Sequence, residues 1–206
     1  MAGVALPGSG SAGGGIPPGR VLPYMRDTAM TDAPILPILF HPAPILRAKA
    51  RPVAEADGTR VADLAARMLS TMYKAPGIGL AAPQVGEGLR LVVLDVAKEE
   101  TPAPMVLVNP EIVAASTERA VREEGCLSLP GQYADVERPA RVKVRYRALD
   151  GSRQEVEADD LLATCLQHEI DHLDGVMFTD HLSPLKRNML IKKFLKEQKL
   201  KSREAM

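Results

Sequence analysis

The stretch His168-Glu169-Ile170-Asp171-His172 places two imidazoles four residues apart. On a helix this spacing is about one turn and a rise of roughly 6 Å, so both rings leave one face and can converge on one metal ion. Glu169 lies beside them without being a natural third ligand. Its carboxylate is placed to take a proton from an attacking water and pass it to a leaving group. The bland reading, a surface helix that happens to carry two histidines, is weakened by a chain total of only four.

A catalytic site of this kind needs a third protein ligand and an open position. Both candidates are cysteines, Cys126 and Cys165. Cys165 shares the helix face but precedes His172 by seven residues, a rise of about 10.5 Å. Ligands held at about 2.0 to 2.3 Å from one ion do not easily include both ends of that span. Cys126 comes from elsewhere in the chain, in Glu124-Gly125-Cys126-Leu127-Ser128-Leu129-Pro130, and can approach from the opposite side. Cys126 is therefore the expected third ligand, and Cys165 reads as a small buried hydrophobe. Two imidazoles and a thiolate suit Zn(II), Fe(II), Ni(II) or Co(II).

These residues need elements to hold them. Val61, Leu64, Ala65, Met68, Leu69 and Met72 recur at helical spacing, with Asp57 near the cap. The glycine-rich Gly77 to Val85 ends that pattern. Leu89 to Val96 reads as a strand too uniformly apolar to be an edge. Further strands are expected at Met105 to Val108, Glu111 to Ala115, Ala120 to Glu123, Val142 to Ala148 and Gln154 to Ala158. A helix from about Asp160 to Asp174 carries the histidines and stops at Gly175. Another starts at Ser183-Pro184, a cap and first-turn pairing, and continues to about residue 200. Ile35 to Val53, proline-rich and apolar, is expected as an extended arm on the body. The whole predicts an α+β domain of mostly antiparallel strands around a central metal-binding helix, with a C-terminal helix.

Three stretches, GIGLAAPQV (77–85), EGCLSLP (124–130) and QHEIDH (167–172), resemble the signature motifs of the peptide deformylase family in order and spacing. The similarity spans about residues 34 to 200. It implies removal of the formyl group from the N-terminal methionine of nascent polypeptides, with release of formate. It also implies Cys126, His168 and His172 as metal ligands, Glu169 as catalytic acid and base, and Fe(II) as the physiological ion. Gln84 and the backbone N–H of Leu127 become the implied donors to the reacting carbonyl oxygen. Gly79 is implied to pair with the substrate backbone in strand fashion, with Ile78, Leu127 and Cys165 lining the methionine pocket. Each role is chemically apt: a glycine lets another backbone approach, and an amide N–H stabilises an oxyanion without adding charge. Many relatives carry a basic residue just after the cysteine motif, where this chain reads Gly131-Gln132-Tyr133.

Two other readings compete. A metallopeptidase could use the same helix, but usually draws a third ligand, Glu or His, from further downstream; here His181 is the only later histidine, nine residues on, and a ready thiolate sits upstream at Cys126. A ribosome-associated binding module with a structural metal would need all four of Cys126, Cys165, His168 and His172, against the helical rise, and would leave Glu169 without a purpose.

Lys+Arg and Asp+Glu balance at 26 each among 206 residues, so net charge gives no reason to expect DNA or a membrane surface as partner. No apolar run reaches the roughly 18 residues of a membrane span. Two cysteines placed in or beside a metal constellation point to a reducing compartment, the cytoplasm. Charge does cluster locally: Lys186 to Arg203 holds eight basic residues opposed only by Glu197. This stretch is either a solvated helix face or a surface that docks on ribosomal RNA, a contact the resemblance also implies. Residues 1–33 differ from the rest, with seven glycines, four prolines and no acidic residue from Met1 to Arg26. They are expected to be a disordered extension ahead of the catalytic domain, 34–206, and to be an upstream addition to a start at Met30 rather than a targeting segment.

Overall fold

Four consecutive apolar residues, Leu91 to Leu94, form a strand with no exposed face. The computed structural model, which describes residues 33–97 and 102–204, explains why. Side chains alternate across a strand. Leu91 and Val93 pack with Val61, Leu64, Ala65, Met68, Leu69 and Met72 of helix α1 (Gly58–Lys74). Val92 and Leu94 pack with Ala163, Cys165, Leu166, Ile170 and Leu173 of helix α2 (Asp160–Leu173). The strand is β2 (Leu91–Leu94), and it lies between β1 (Gly79–Ala81) and β3 (Met105–Ala115). Adding β6 (Val142–Arg147) and β7 (Arg153–Ala158) gives a five-stranded sheet, ordered β1-β2-β3-β6-β7 and antiparallel at every pairing. A separate hairpin joins β4 (Arg119–Gly125) to β5 (Tyr133–Pro139), with Gly125 opposite Tyr133. This is the expected α+β architecture, with the histidine helix at its centre.

Several boundaries differ from the sequence expectation. Met105 to Val108 and Glu111 to Ala115 belong to one strand. The gap between them is an irregularity where Asn109 takes a positive φ of 53° and the register shifts. The Asn109 amide turns to the N-terminal arm, accepting from Val53 N–H at 2.8 Å and donating to Val53 C=O at 2.9 Å. Strands β1 and β5 were not anticipated. The first is three residues inside a glycine-rich stretch, and the second turns an arginine, Arg138, inward where periodicity would demand an apolar residue. Asp57 occupies the N-cap position of α1, but its carboxylate does not cap the helix. It accepts from Ala54 N–H at 2.8 Å and pairs with Arg51 at 2.8 Å.

Other signals hold. Gly175 follows α2 with φ 74°, and Ser183 precedes helix α3 (Pro184–Glu204), its hydroxyl accepting from Lys186 N–H at 3.4 Å. Proline-rich residues 34–53 run over the body as an arm interrupted by one 3-10 turn, Pro44–Arg47. The arm touches both halves of the site: Leu39 N–H donates to Gln84 C=O at 2.7 Å, and His41 N–H to Ser128 C=O at 2.9 Å. The expectation of an N-terminal extension falls almost wholly on residues 1–32, outside the described residues.

Candidate metal centre

Helix α2 presents His168 and His172 one turn apart on its buried face, with ring centroids 4.9 Å apart and planes crossing at 78°. Cys126 arrives from the turn that follows β4, its Sγ 3.2 Å from His172 Nε2. Ligand atoms of Cys126, His168 and His172 all lie within 4.8 Å of one another, and all three residues are buried. A cation at about 2.0 to 2.3 Å from each donor spans such separations. The set also has the right chemistry, one soft thiolate with two imidazoles. Cys165 is outside the group, as the helical rise required; its Sγ points to Ile78 C=O at 3.6 Å.

The two thiols are driven apart. Burial alone would raise both, and it pushes Cys165 well above its ordinary value, assisted by the Glu169 carboxylate. At Cys126 the burial effect is overcome by the His172 and His168 imidazoles, which hold the thiol well below its ordinary value. Glu169 is buried on the helix turn that joins His168 to His172, and burial pushes its carboxyl up to about 7. Its Oε2 has no hydrogen-bond partner among the described residues. A carboxyl that exchanges its proton near neutrality suits a general base that later becomes a general acid.

Gln84 sits in the 3-10 turn Ala82–Val85 and is 1% exposed, so it is no surface turn residue. Its Oε1 accepts from Ala81 N–H at 2.8 Å, which fixes the amide and aims Nε2 toward Cys126 Sγ at 3.5 Å and Ser128 Oγ at 3.3 Å. Gly79 opens β1, the edge of the five-stranded sheet. Here the structure adds a reason for glycine beyond backbone approach: a Cβ would run into Glu169 Oε1 and, at 2.9 Å, Cys165 Sγ. Leu127 follows Cys126 and closes on the same stretch, since a Cβ at Gly77 would meet Leu127 Cδ1 at 2.7 Å. Ile78 is 44% exposed while Cys165 is buried, so these two expected pocket residues differ widely in exposure.

Sequence reasoning missed a second layer. Glu124 Oε2 lies 2.8 Å from His168 Nδ1, which leaves Nε2 free to ligate. Arg138 of β5 holds Glu124 through Nε at 2.6 Å and Nη2 at 3.0 Å, and reaches Asp171 Oδ2 through Nη1 at 2.8 Å. Burial opposes the charge on Glu124, but His168 and Arg138 keep its carboxyl below the ordinary value. Such partners orient a ligand imidazole and raise its basicity. The acidic residue two before Cys126 was visible in the sequence; nothing there paired it with Arg138.

Residues 35–188 match the family model described as polypeptide deformylase. The chain belongs to that family. Curated relatives include the peptide deformylases of Mesorhizobium japonicum, 58% identical over 82% of this chain and 96% of that protein, and of Brucella suis, 56% identical over 79% and 93%. Among solved structures, a peptide deformylase from Legionella pneumophila superposes with TM-score 0.77 at 44% identity, covering 82% of this chain and 98% of that one. One from Synechococcus elongatus, in complex with actinonin, gives TM-score 0.73 at 44% identity, over 78% and 88%. The family is one of metalloenzymes that deformylate nascent chains, and Cys126, His168 and His172 form a group among the described residues that could hold a metal ion. No helix among the described residues is long and apolar enough to cross a membrane.

Proposed function

We propose that this chain carries out its family's reaction, hydrolysis of the N-formyl group from the N-terminal formyl-methionine of nascent polypeptides, with Glu169, Gln84 and Leu127 as catalytic groups. The supporting observation is the buried convergence of Cys126, His168 and His172 beside a carboxylate, Glu169, that has an unpartnered oxygen. Cys126, His168 and His172 would hold a divalent cation, which would supply Lewis acidity at this site. Glu169 removes a proton from the attacking water and returns it to the departing amine, leaving formate and a free methionine terminus. Gln84 Nε2–H and the Leu127 N–H donate to the oxygen that gains charge. Gly79 pairs with the substrate backbone, while Ile78, Leu127 and Cys165 border the methionine side chain. Fe(II) is our assignment for the physiological ion; Zn(II), Ni(II) and Co(II) also suit the donor set. The bacterial relatives and the reducing conditions that a thiolate ligand needs favour the cytoplasm as its location.

Formate release from a formyl-Met peptide by anaerobically purified protein tests this reading. Wild type should release formate, and Glu169→Gln should lose about 10²- to 10⁴-fold in kcat while retaining metal. Metal-replete wild type that released none would overturn it.

The ribosome contact is proposed for α3. Lys192, Lys196 and Lys199 are exposed on it, while Phe194 is fully buried against the body and Glu197 accepts from Gln132 Nε2 at 2.9 Å. Truncation would therefore also remove a core residue. Reversing Lys192, Lys196 and Lys199 to Glu should abolish co-sedimentation with ribosomes and leave formate release from a short peptide unchanged. Unchanged co-sedimentation would sink the contact.

A further inference from the structure

The buried ion network behind His168 does not end at Arg138. Asp171, on the surface side of α2, is one residue before the ligand His172 yet points away from the metal group. Its Oδ2 accepts from Arg138 Nη1 at 2.8 Å and lies 2.7 Å from Nε2 of His181. Because the partner atom is a carboxylate oxygen, Nε2 of His181 carries the proton and donates. His181 belongs to the 3-10 turn Phe178–His181, between α2 and α3. The turn also brings Phe178 to stack on the His168 ring, at 6.1 Å between centroids and 21° between planes. One short segment thus touches the ligand imidazole directly and, through its last residue, the far end of the network that orients it.

We propose that His181 is a positioning residue for the metal centre, acting through Asp171, Arg138 and Glu124 on the Nδ1 side of His168. This rests on the reading of Cys126, His168 and His172 as the metal ligands. The Arg138 side chain is 6% exposed, whereas those of Asp171 and His181 are 24% and 34% exposed. The inner pair, Glu124 with Arg138, is confined by packing. The outer carboxylate is not, and without a donor at residue 181 it can turn to water. Arg138 would then keep only Glu124 as anionic partner, and the geometry of the Glu124 to His168 hydrogen bond would slacken. An imidazole held less firmly at Nδ1 is a weaker and less directional ligand at Nε2.

Three proteins test this: wild type, His181→Phe, which keeps a ring and removes the donor, and His181→Gln, whose amide Nε2–H can reach Asp171. Each is loaded with Co(II) under anaerobic conditions. The readouts are the visible ligand-field spectrum and the rate of Co(II) transfer to an excess of chelator. Direct partners of ligands typically change metal affinity 10- to 100-fold. His181 is three residues further out than Glu124, so His181→Phe should release Co(II) about 3- to 10-fold faster and shift the ligand-field bands. His181→Gln should restore both. A structural role for His181 alone would not make the glutamine variant recover a spectrum. Release by His181→Phe at the wild-type rate, or equal behaviour of the two variants, overturns the proposal. Wild type unable to retain one equivalent of Co(II) would instead overturn the metal assignment on which it stands.

Discussion

Gln84 illustrates how a single side chain is committed to one task. Its carbonyl oxygen is consumed by the Ala81 N–H, so the amide cannot flip, and Nε2 is left facing Cys126 Sγ and Ser128 Oγ, where the proposed mechanism puts the reacting oxygen. In the proposed mechanism Gln84→Ala removes a pre-aimed donor whose full worth appears only as charge develops. We expect kcat to fall about 10²- to 10³-fold with KM little changed, as steady-state kinetics on a formyl-Met peptide would report. A fall confined to KM would make Gln84 a ground-state binding residue. The sequence displayed the types of the central residues but not all their reasons. His168, His172 and Glu169 were legible because helical spacing alone places them together. The exclusion of Cys165 followed from rise per residue. Glu124, Arg138, Asp171 and His181 were not legible as a network, because a hairpin and a 3-10 turn bring them together and no periodicity encodes that meeting.

Among the elements, α1 follows directly from the repeat spacing of its one apolar face, and the body of β2 from an unbroken apolar run that leaves no polar face. Strand β5 was lost because the residue it buries at Arg138 is charged, an ion-pair requirement that overrides the period-two signal. Strand β1 was too short for any pattern. Helix ends, by contrast, were legible from chemistry, Gly175 above all. Its φ of 74° is in the left-handed region, and a Cβ there would meet the Arg47 backbone oxygen at 2.6 Å. Gly175→Ala should therefore cost about 1 to 3 kcal/mol in urea unfolding, combining strain and overpacking. A loss of a few tenths would mean that the arm at Arg47 yields without resistance.

At the scale of the whole molecule, the N-terminal arm is fastened to the segment after α2 by ions as well as by packing. Arg47 pairs with Asp180, which also accepts from Met177 N–H at 2.9 Å, and Arg187 lies 3.7 Å away. Burial would raise the Asp180 carboxyl, but these partners hold it below its ordinary 3.8. A carboxylate depressed by folding contributes stability that is fully present above the unfolded value and lost as pH falls through the folded one. Thermal melts of Asp180→Asn should show less loss between pH 5 and about pH 3 than wild type, and a lower melting temperature at pH 7. Parallel curves would show that the arm is held by packing alone. The placement of β1 at a sheet edge bears on a different question, namely how many kinds of client one enzyme can serve. Main-chain amides are common to every polypeptide, so the proposed pairing of substrate with this three-residue ribbon would leave the side chains beyond the methionine unread. What it cannot ignore is proline, which offers no N–H, so the nascent proteins this enzyme handles slowly should be sorted by imino acids near their start rather than by charge or size.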